Sequence, residues 1–320
     1  MKDVFFFEAF EEERRLLEEF AAEGMDCGYT CATIQESGII EVPARVISIR
    51  TQSGIPLHWL EEIDGILARA TGYDHLTKLA CIAPGKQYGY LPFYCPRSVA
   101  EQALLMWMFL MRKLKLQQQQ FVKFDRDGLT GRECSQKCLV VAGVGNIGRE
   151  VLRVGRGLDM NVLGVDIVQR HEDVEYVSLD EGLARADVIV CSMNLTAEND
   201  RYFRYDVLRK AEKQPLFINV ARGEFSPAAD MARLLDEGRL SGVGMDVFED
   251  EKKVAQAFRT GRQHNLKTVE TLASLRNRPD VILTPHNAFN TREAVNRKAK
   301  QSIEQLRHFF RTGAFKWPIP

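Results

Sequence analysis

The sequence lacks the features that would commit it to a membrane, a polyanion or a metal. Its longest apolar run, Ala103–Met111, is well short of the roughly 20 residues a membrane-spanning helix needs. Neither sign of charge prevails: 43 Lys and Arg against 44 Asp and Glu leave a formal net charge of -1. No global field therefore draws the chain to nucleic acid or an anionic lipid surface. Cysteine is sparse, seven in 320 residues. Only the pairs Cys27/Cys31 and Cys134/Cys138 have ligand-like spacing, and no histidine follows either pair at metal-binding distance, so no metal site is expected. Scattered thiols suit a reducing cytoplasm, the expected location. The opening residues Met1–Glu8 turn acidic at once and read as a first strand, not a secretory signal.

What is present is the material for two α/β units. With 45% hydrophobic and 27% charged residues, the chain has the profile of a globular protein with a substantial core. Strands are predicted at Val4–Phe7, Arg45–Ile49 and Gly65–Ala68, with a helix over Phe10–Ala22 presenting Phe10, Leu16, Leu17 and Phe20 on one side. A turn follows at Thr71–His75. A second series starts after Gly131, with strands at Leu139–Ala142, Asn161–Val165, Asp187–Cys191, Leu216–Val220, Gly242–Val247 and Val281–Thr284. Continuous apolar strands alternating with helices imply a doubly wound parallel sheet. Between the two series, Ser98-Val99-Ala100-Glu101 has capping-box spacing ahead of the Ala103–Met111 run. A helix apolar on every side is expected to be buried on every side, in a core or against a second subunit. Gln117–Gln120 reads as a polar connector.

Gly143-Val144-Gly145-Asn146-Ile147-Gly148 lies between a buried strand and a helical stretch. Glycine there permits a tight turn, close approach of the backbone to a pyrophosphate, and close packing of helix on strand. The anion then meets N–H groups at the positive end of the helix. Asp166 ends the next strand, roughly 20 residues past the glycines, where a carboxylate accepts ribose hydroxyls and repels a 2′-phosphate. The expected cofactor is NADH rather than NADPH, with Arg170 near enough in sequence to soften the preference. An ordinary strand–turn–helix with a surface acid is the plainer alternative.

Three later strands end in polar residues, and in open parallel sheets ligands gather at the carboxyl ends of strands. Arg222 follows Leu216–Val220; Asp246 and then Glu251 follow the next strand; His286 follows Val281–Thr284. That set suits carbonyl reduction. Arginine holds a carboxylate through two parallel hydrogen bonds, histidine supplies a proton near neutrality, and a carboxylate orients the imidazole and stabilises its charged form. Taken singly, Arg222 also fits a surface ion pair, and Glu251 a solvated loop within Glu249–Lys253. Of the other histidines, His58, His171, His264 and His308 read as surface or satisfied residues, and His75 as part of a pocket wall.

On Gly143–Gly148, Asn219-Val220-Ala221-Arg222-Gly223, Met245–Glu251 and Leu283–Phe289, in that order, the chain resembles the D-isomer-specific 2-hydroxyacid dehydrogenases over nearly its whole length. The stretch between Glu251 and His286 is most similar to the D-lactate dehydrogenase branch. The resemblance implies a Rossmann cofactor domain at 98–289 inserted into a smaller flavodoxin-like substrate domain, 1–97 with 290–320, completed by a C-terminal helix near Thr291–Thr312. It implies that Arg222 binds the substrate, His286 is the acid/base and Glu251 its partner. NAD would be lined by Gly143, Gly145, Asn146, Ile147, Gly148, Asp166, Met193, Asn194, Asn199, Val220, Ala221 and Asp246. Thr71 and Gly72 would meet the substrate carboxylate, with Tyr94 and Phe289 walling the pocket. It further implies closure of the two domains over a small, pyruvate-like 2-oxo acid, and a homodimer formed through 98–114. Asn194 stands where many members carry proline, and Thr71 and His75 replace the commoner Val and Asn. The rival expectations are an NAD-sensing regulator on the same scaffold, or a dehydrogenase for another side chain such as 2-hydroxyisocaproate or glycerate. A nucleoside-binding methyltransferase leaves Arg222 and His286 without tasks.

Overall fold

Among the described residues the eleven strands pair in parallel, in two sheets, with a lone antiparallel bridge from Gly89 to Pro318. The computed structural model describes residues 1–21, 24–261 and 267–320. His264 and the predicted helix end at Ala22 lie outside the described residues. The chain divides into two compact units, Met1–Cys95 with Asn290–Pro320, and Pro96–Phe289.

The first unit carries β1 (Lys2–Phe6), β2 (Cys27–Tyr29), β3 (Ala44–Ile49), β4 (Gly65–Ala68) and β5 (Gln87–Gly89) in the order β2-β1-β3-β4-β5, a flavodoxin-like arrangement. The second carries β6 (Cys138–Ala142), β7 (Asn161–Val165), β8 (Val188–Cys191), β9 (Leu216–Asn219), β10 (Gly242–Met245) and β11 (Val281–Leu283) in the order β11-β10-β9-β8-β6-β7. All residues of β6, β8, β9 and β10 are buried, as expected of strands covered by helices on both faces. The order reverses beside β6, which makes its carboxyl end a topological switch point.

Several local expectations are corrected. The helix expected from Ser98 begins at Pro96 and runs to Met111, because proline, lacking an N–H, suits the first helical turn. Ser98 is therefore inside the helix, where its hydroxyl donates to the Phe289 carbonyl at 3.2 Å instead of capping. Glu101 pairs with Arg97 at 2.7 Å. The helix is not buried all round, since Leu105 is 56% exposed. Gln117–Gln120 is not a loose connector but part of a second short helix, Leu114–Gln120. The turn at Thr71 ends sooner than expected, because a helix starts at Asp74. Strands β2 and β5 were not foreseen; at three residues each they carry too little pattern to be read.

The helix Glu11–Ala21 buries Glu13 along with Leu17 and Ala21. Glu13 Oε1 accepts from Arg69 Nε at 2.9 Å and forms an ion pair with Lys298 Nζ at the same distance, and all three side chains are fully buried. Arg69 also donates to Ser48 Oγ at 3.0 Å and to the Phe7 carbonyl at 2.6 Å. Burial opposes the charge on Glu13, but Arg69, Lys298 and Arg50 outweigh it and hold the carboxyl at about 2. Burial, with Arg50 and Arg69, drops Lys298 to about 7 against the pull of Glu13. Removing one member of a buried ionic cluster leaves the others uncompensated, at a cost of about 3–5 kcal/mol. Glu13→Gln should lower the urea-unfolding free energy by about that amount at pH 7. The folded Glu13 carboxyl lies below its ordinary value, so its contribution is complete above about pH 4.5 and fades as pH falls towards about 2. The gap between wild type and variant should close over that acid range; a constant gap would contradict the assignment.

Candidate functional site

The site in the second unit grows from the carboxyl ends of β6, β8, β9, β10 and β11. Gly143 leaves β6 with φ +86, in the left-handed region, and a Cβ there would stand 2.6 Å from the Met193 backbone. A Cβ on Gly148 would stand 2.0 Å from the Gly143 carbonyl oxygen, so the helix Asn146–Arg156 can close on the loop only through glycine. Gly145 differs: a Cβ there meets no protein atom within 4 Å. These are the three separate demands that a pyrophosphate-binding turn places on its glycines. Ser192 fastens the loop from β8, donating to the Gly143 carbonyl at 2.8 Å. Asp166 accepts from Val144 N at 2.6 Å and from Val168 N at 2.9 Å, so the acid at the end of β7 also fixes the glycine loop. Asn199 shapes the next loop by accepting from Thr196 N and donating to the Asn194 carbonyl, both at 2.8 Å. The residues fit a dinucleotide: a cleared backbone turn at a helix N-terminus, with a carboxylate one strand away.

Strands β9, β10 and β11 set the second half of the site. Asn219, Met245 and Leu283 are aligned across the sheet, and Arg222 and His286 each follow that row by three residues. They leave the same edge two strand spacings apart, on the order of 10 Å. Asn219, fully buried, holds the first of these turns. Its Nδ2 donates to the Arg222 carbonyl at 2.8 Å and to Ser226 Oγ at 2.7 Å, while its Oδ1 accepts from Ala221 N at 3.0 Å. Arg222 Nη1 donates to the Ala221 carbonyl at 2.9 Å. A Cβ on Gly223 would fall 1.8 Å from the Phe248 carbonyl carbon, so glycine lets the Arg222 turn lie against the segment that leads to Glu251.

Asp246, 1% exposed, holds the other turn. Its Oδ1 accepts from Thr284 Oγ1 at 2.5 Å and Asn287 N at 2.8 Å, and its Oδ2 from Ala288 N at 2.9 Å. Burial pushes this carboxyl above its ordinary range, while Thr284, His286 and the two amides pull against the shift. His286 N donates to the Asp246 carbonyl at 2.8 Å. His286 is itself left-handed, at φ 51, and so is Asp250, at φ 53, the residue before Glu251. Non-glycine residues in this region persist only where their surroundings enforce them. The two bends bring His286 Nδ1 to 2.7 Å from Glu251 Oε1, with the side chains 24% and 22% exposed. Glu251 opens the helix Glu251–Thr260 instead of lying in a solvated loop.

The remaining sequence candidates divide between the two units. Val220 and Ala221 lie at the end of β9, and Phe289 is buried beyond β11. Thr71, Gly72 and Tyr94 belong to the first unit. Thr71 Oγ1 donates to the Leu91 carbonyl at 3.1 Å and lies 3.3 Å from Cys95 Sγ. Tyr94 is buried, which raises its phenol well above the ordinary value. His75 sits in the first turn of the helix Asp74–Ile82, and exposed His58 lies 3.3 Å from the Ile40 carbonyl. Sequence reasoning missed Asn219 and Thr284 as positioning residues and the backbone-holding role of Asp246. The signal available was a polar residue ending an apolar buried strand, which must find partners where it is buried. Among the described residues no group of three or more His, Cys, Asp or Glu could hold a metal ion.

A parallel sheet with a dinucleotide turn at its switch point and an arginine and a histidine–glutamate pair on the same edge defines a nicotinamide-dependent oxidoreductase. The chain belongs to the D-isomer-specific 2-hydroxyacid dehydrogenases, whose NAD-binding domain model matches residues 104–288. It is 30% identical over 260 residues to a D-lactate dehydrogenase of Lactiplantibacillus plantarum, covering 79% of this chain and 77% of that one. It is also 30% identical over 257 residues to an aromatic 2-oxoacid reductase of Clostridium sporogenes, covering 78% and 77%. The structure of a D-lactate dehydrogenase from Aquifex aeolicus, complexed with NAD and lactic acid, superposes with a TM-score of 0.86 at 26% identity, covering 98% of this chain and 99% of that one. The protein is an NAD-dependent D-2-hydroxyacid dehydrogenase of the D-lactate dehydrogenase branch.

Gly145→Ala separates cofactor binding from folding. Its φ of -83 suits alanine and the new methyl meets no protein atom, so the thermal midpoint should stay within about 2 °C. NADH affinity, read by fluorescence titration, should fall about tenfold or more, because the methyl occupies the space a pyrophosphate approaches. Unchanged affinity would remove Gly145 from the cofactor cradle.

Proposed function

We propose that the enzyme reversibly reduces a small, pyruvate-like 2-oxo acid to the D-2-hydroxy acid. The observation that supports this most directly is the 2.7 Å His286–Glu251 pair, on the same sheet edge as Arg222. Arg222 holds the substrate carboxylate and polarises the carbonyl beside it, a task for which a planar guanidinium is suited. With Nδ1 held by Glu251, His286 presents Nε2 to the carbonyl oxygen, delivering a proton in reduction and removing it in oxidation. Glu251 fixes the ring orientation and balances the imidazolium charge. Asp246 and Asn219 keep the two turns in place, and Asp246 also borders the nicotinamide side of the site. Bound NAD supplies or accepts the hydride. Gly143, Gly145, Asn146, Ile147, Gly148, Asp166, Met193, Asn194, Asn199, Val220 and Ala221 form its cradle, while Thr71, Gly72, Tyr94 and Phe289 contact the substrate. The relatives named for D-lactate and for aromatic 2-oxo acids support the reaction class and leave the side chain as the variable.

Loss of NADH absorbance with pyruvate, 2-oxoisocaproate, hydroxypyruvate and glyoxylate, offered separately, tests the reading. Turnover with at least one is expected, giving the D product in a stereospecific assay; no oxidation with any favours an NAD-sensing regulator. Arg222→Ala should lower kcat/KM about a hundredfold or more, within the range for removing a transition-state contact, and leave NADH affinity near that of wild type. Unchanged turnover would take Arg222 out of the mechanism.

The reading also gives the enzyme a cytosolic setting, supported by seven cysteines that form no disulfide, and a second copy of itself as partner. Leu105 is exposed on the Pro96–Met111 helix, and Phe121, Val122 and Phe124 are exposed beyond the following helix Leu114–Gln120; exposed apolar groups of this kind mark protein contacts. Replacing Phe121 and Phe124 by serine should convert a dimer to a monomer in size-exclusion chromatography with light scattering. A wild type that is monomeric at micromolar concentration would contradict this.

A further inference from the structure

Three sulfur atoms meet at the amino end of the second sheet, on the edge opposite the cofactor turn. Met108 and Met111 lie on the helix Pro96–Met111, and residues three apart are neighbours on a helix surface. Cys134 belongs to the segment that enters β6. Its Sγ lies 3.2 Å from Met108 Sδ and 3.4 Å from Met111 Sδ. Cys134 and Met111 are buried and Met108 is half-buried, so the cluster is sheltered without being sealed from solvent. The backbone fixes the approach. Arg132 N donates to the Met111 carbonyl at 2.9 Å, and Arg132 Nη2 donates to Ser241 Oγ at 2.8 Å, just ahead of β10. A Cβ on Gly131 would stand 2.6 Å from the Met111 carbonyl oxygen, so only glycine lets the chain pass this close to the helix end.

The cluster is not satisfied by its own hydrogens. A thiol carries one proton and donates it to one thioether, which leaves the second sulfur–sulfur contact with no proton in it. Trp107, on the same helix, is fully buried, and its Nε1 has no hydrogen-bond partner. The ring nevertheless stands beside Cys134: burial raises that thiol, and the Trp107 indole opposes the rise. An indole N–H only donates, and a buried donor without an acceptor costs about 1–3 kcal/mol. A thiolate at Cys134 supplies the acceptor, but a bare anion in this setting costs more than the hydrogen bond returns. A cation bound to the three sulfurs removes that cost and uses both thioethers.

The donor set decides which cation. Thiolate and thioether sulfur are soft ligands that select Cu(I) over harder ions. Zinc in proteins takes thiolates, imidazoles and carboxylates, and the described residues bring no three His, Cys, Asp or Glu together. One thiolate balances one positive charge, so a monovalent ion leaves the buried site neutral and a divalent ion leaves it charged. We propose that Cys134, Met108 and Met111 form a binding site for a soft monovalent cation, Cu(I) or Ag(I), with the Trp107 indole donating to the bound thiolate. Binding replaces the S–H bond of Cys134 with a metal–sulfur bond and releases the proton to solvent. The ion keeps its oxidation state. It ties the end of the helix to the segment that enters β6, whose five residues put roughly 15 Å between the ion and the glycine turn. The site therefore stabilises the second unit without entering the cofactor cradle.

The test is an anaerobic titration of the full chain with Cu(I), in competition with bicinchoninate, for wild type, Cys134→Ser and the double variant Met108→Leu/Met111→Leu. Any of the seven thiols binds copper to some degree, so the decisive comparison is the one that keeps all seven. Met108→Leu/Met111→Leu conserves apolar volume and should weaken the tightest equivalent about tenfold or more. Cys134→Ser should abolish that equivalent. Cu(I) should raise the thermal midpoint of wild type and leave those of both variants where they were, with NADH affinity unchanged by the ion. Should a variant fail to fold, a wild-type crystal soaked in silver nitrate is decisive by itself, with anomalous density expected between the three sulfurs. Silver on other cysteines alone overturns the proposal, and so does equal Cu(I) affinity in wild type and the methionine variant.

Discussion

One buried carboxylate carries the geometry of the catalytic edge. Asp246 sits at the end of β10, between the strands that end in Arg222 and His286, and commits both oxygens to the 284–288 segment. That segment must bend sharply, with His286 in a left-handed conformation that costs of order 1–3 kcal/mol for a residue other than glycine. Three hydrogen bonds to a buried carboxylate offset the strain, because each is charge-assisted and shielded from water. Glu251 is then reached through a second left-handed residue, Asp250. The imidazole–carboxylate pair is thus a product of backbone that has been forced into place. A merely adjacent histidine and glutamate would be free to separate; these are held by their own chains.

Much of this was legible in the sequence because parallel sheets write their strands plainly. A strand covered on both faces reads as an unbroken apolar run, and β4 and β7 fall on the residues expected. The glycine turn, Arg222 and His286 were visible because each follows such a run, whereas Glu251 lies in the charged stretch Glu249–Lys253 and was singled out only together with them. What stayed hidden depends on partners distant in sequence. Glu13 reads as one more acid in a charged helix; only the fold brings it Arg69 and Lys298 and buries all three. Ser98 and Glu101 have the spacing of a cap, but Pro96 starts the helix two residues earlier and moves both off the cap positions. Asn219 appears in the sequence as part of a motif, and its work, tying Ala221, Arg222 and Ser226 into one turn, appears only with the hydrogen bonds in view.

The two units solve their electrostatics differently. In the second, the strand-end groups are few and each is matched: Asp246 with amides and a hydroxyl, His286 with Glu251. In the first, a single carboxylate, Glu13, gathers Arg69 and Lys298 in full burial, beside a core that is otherwise aromatic and aliphatic.

The account stands or falls on Arg222 and His286 acting on one substrate. A crystal structure with NADH and oxamate, an unreactive isostere of pyruvate, tests that most directly. The expected result is the oxamate carboxylate on the Arg222 guanidinium and its amide oxygen about 3 Å from His286 Nε2. Oxamate seated away from Arg222, or His286 turned from it with the Glu251 contact broken, would contradict the account.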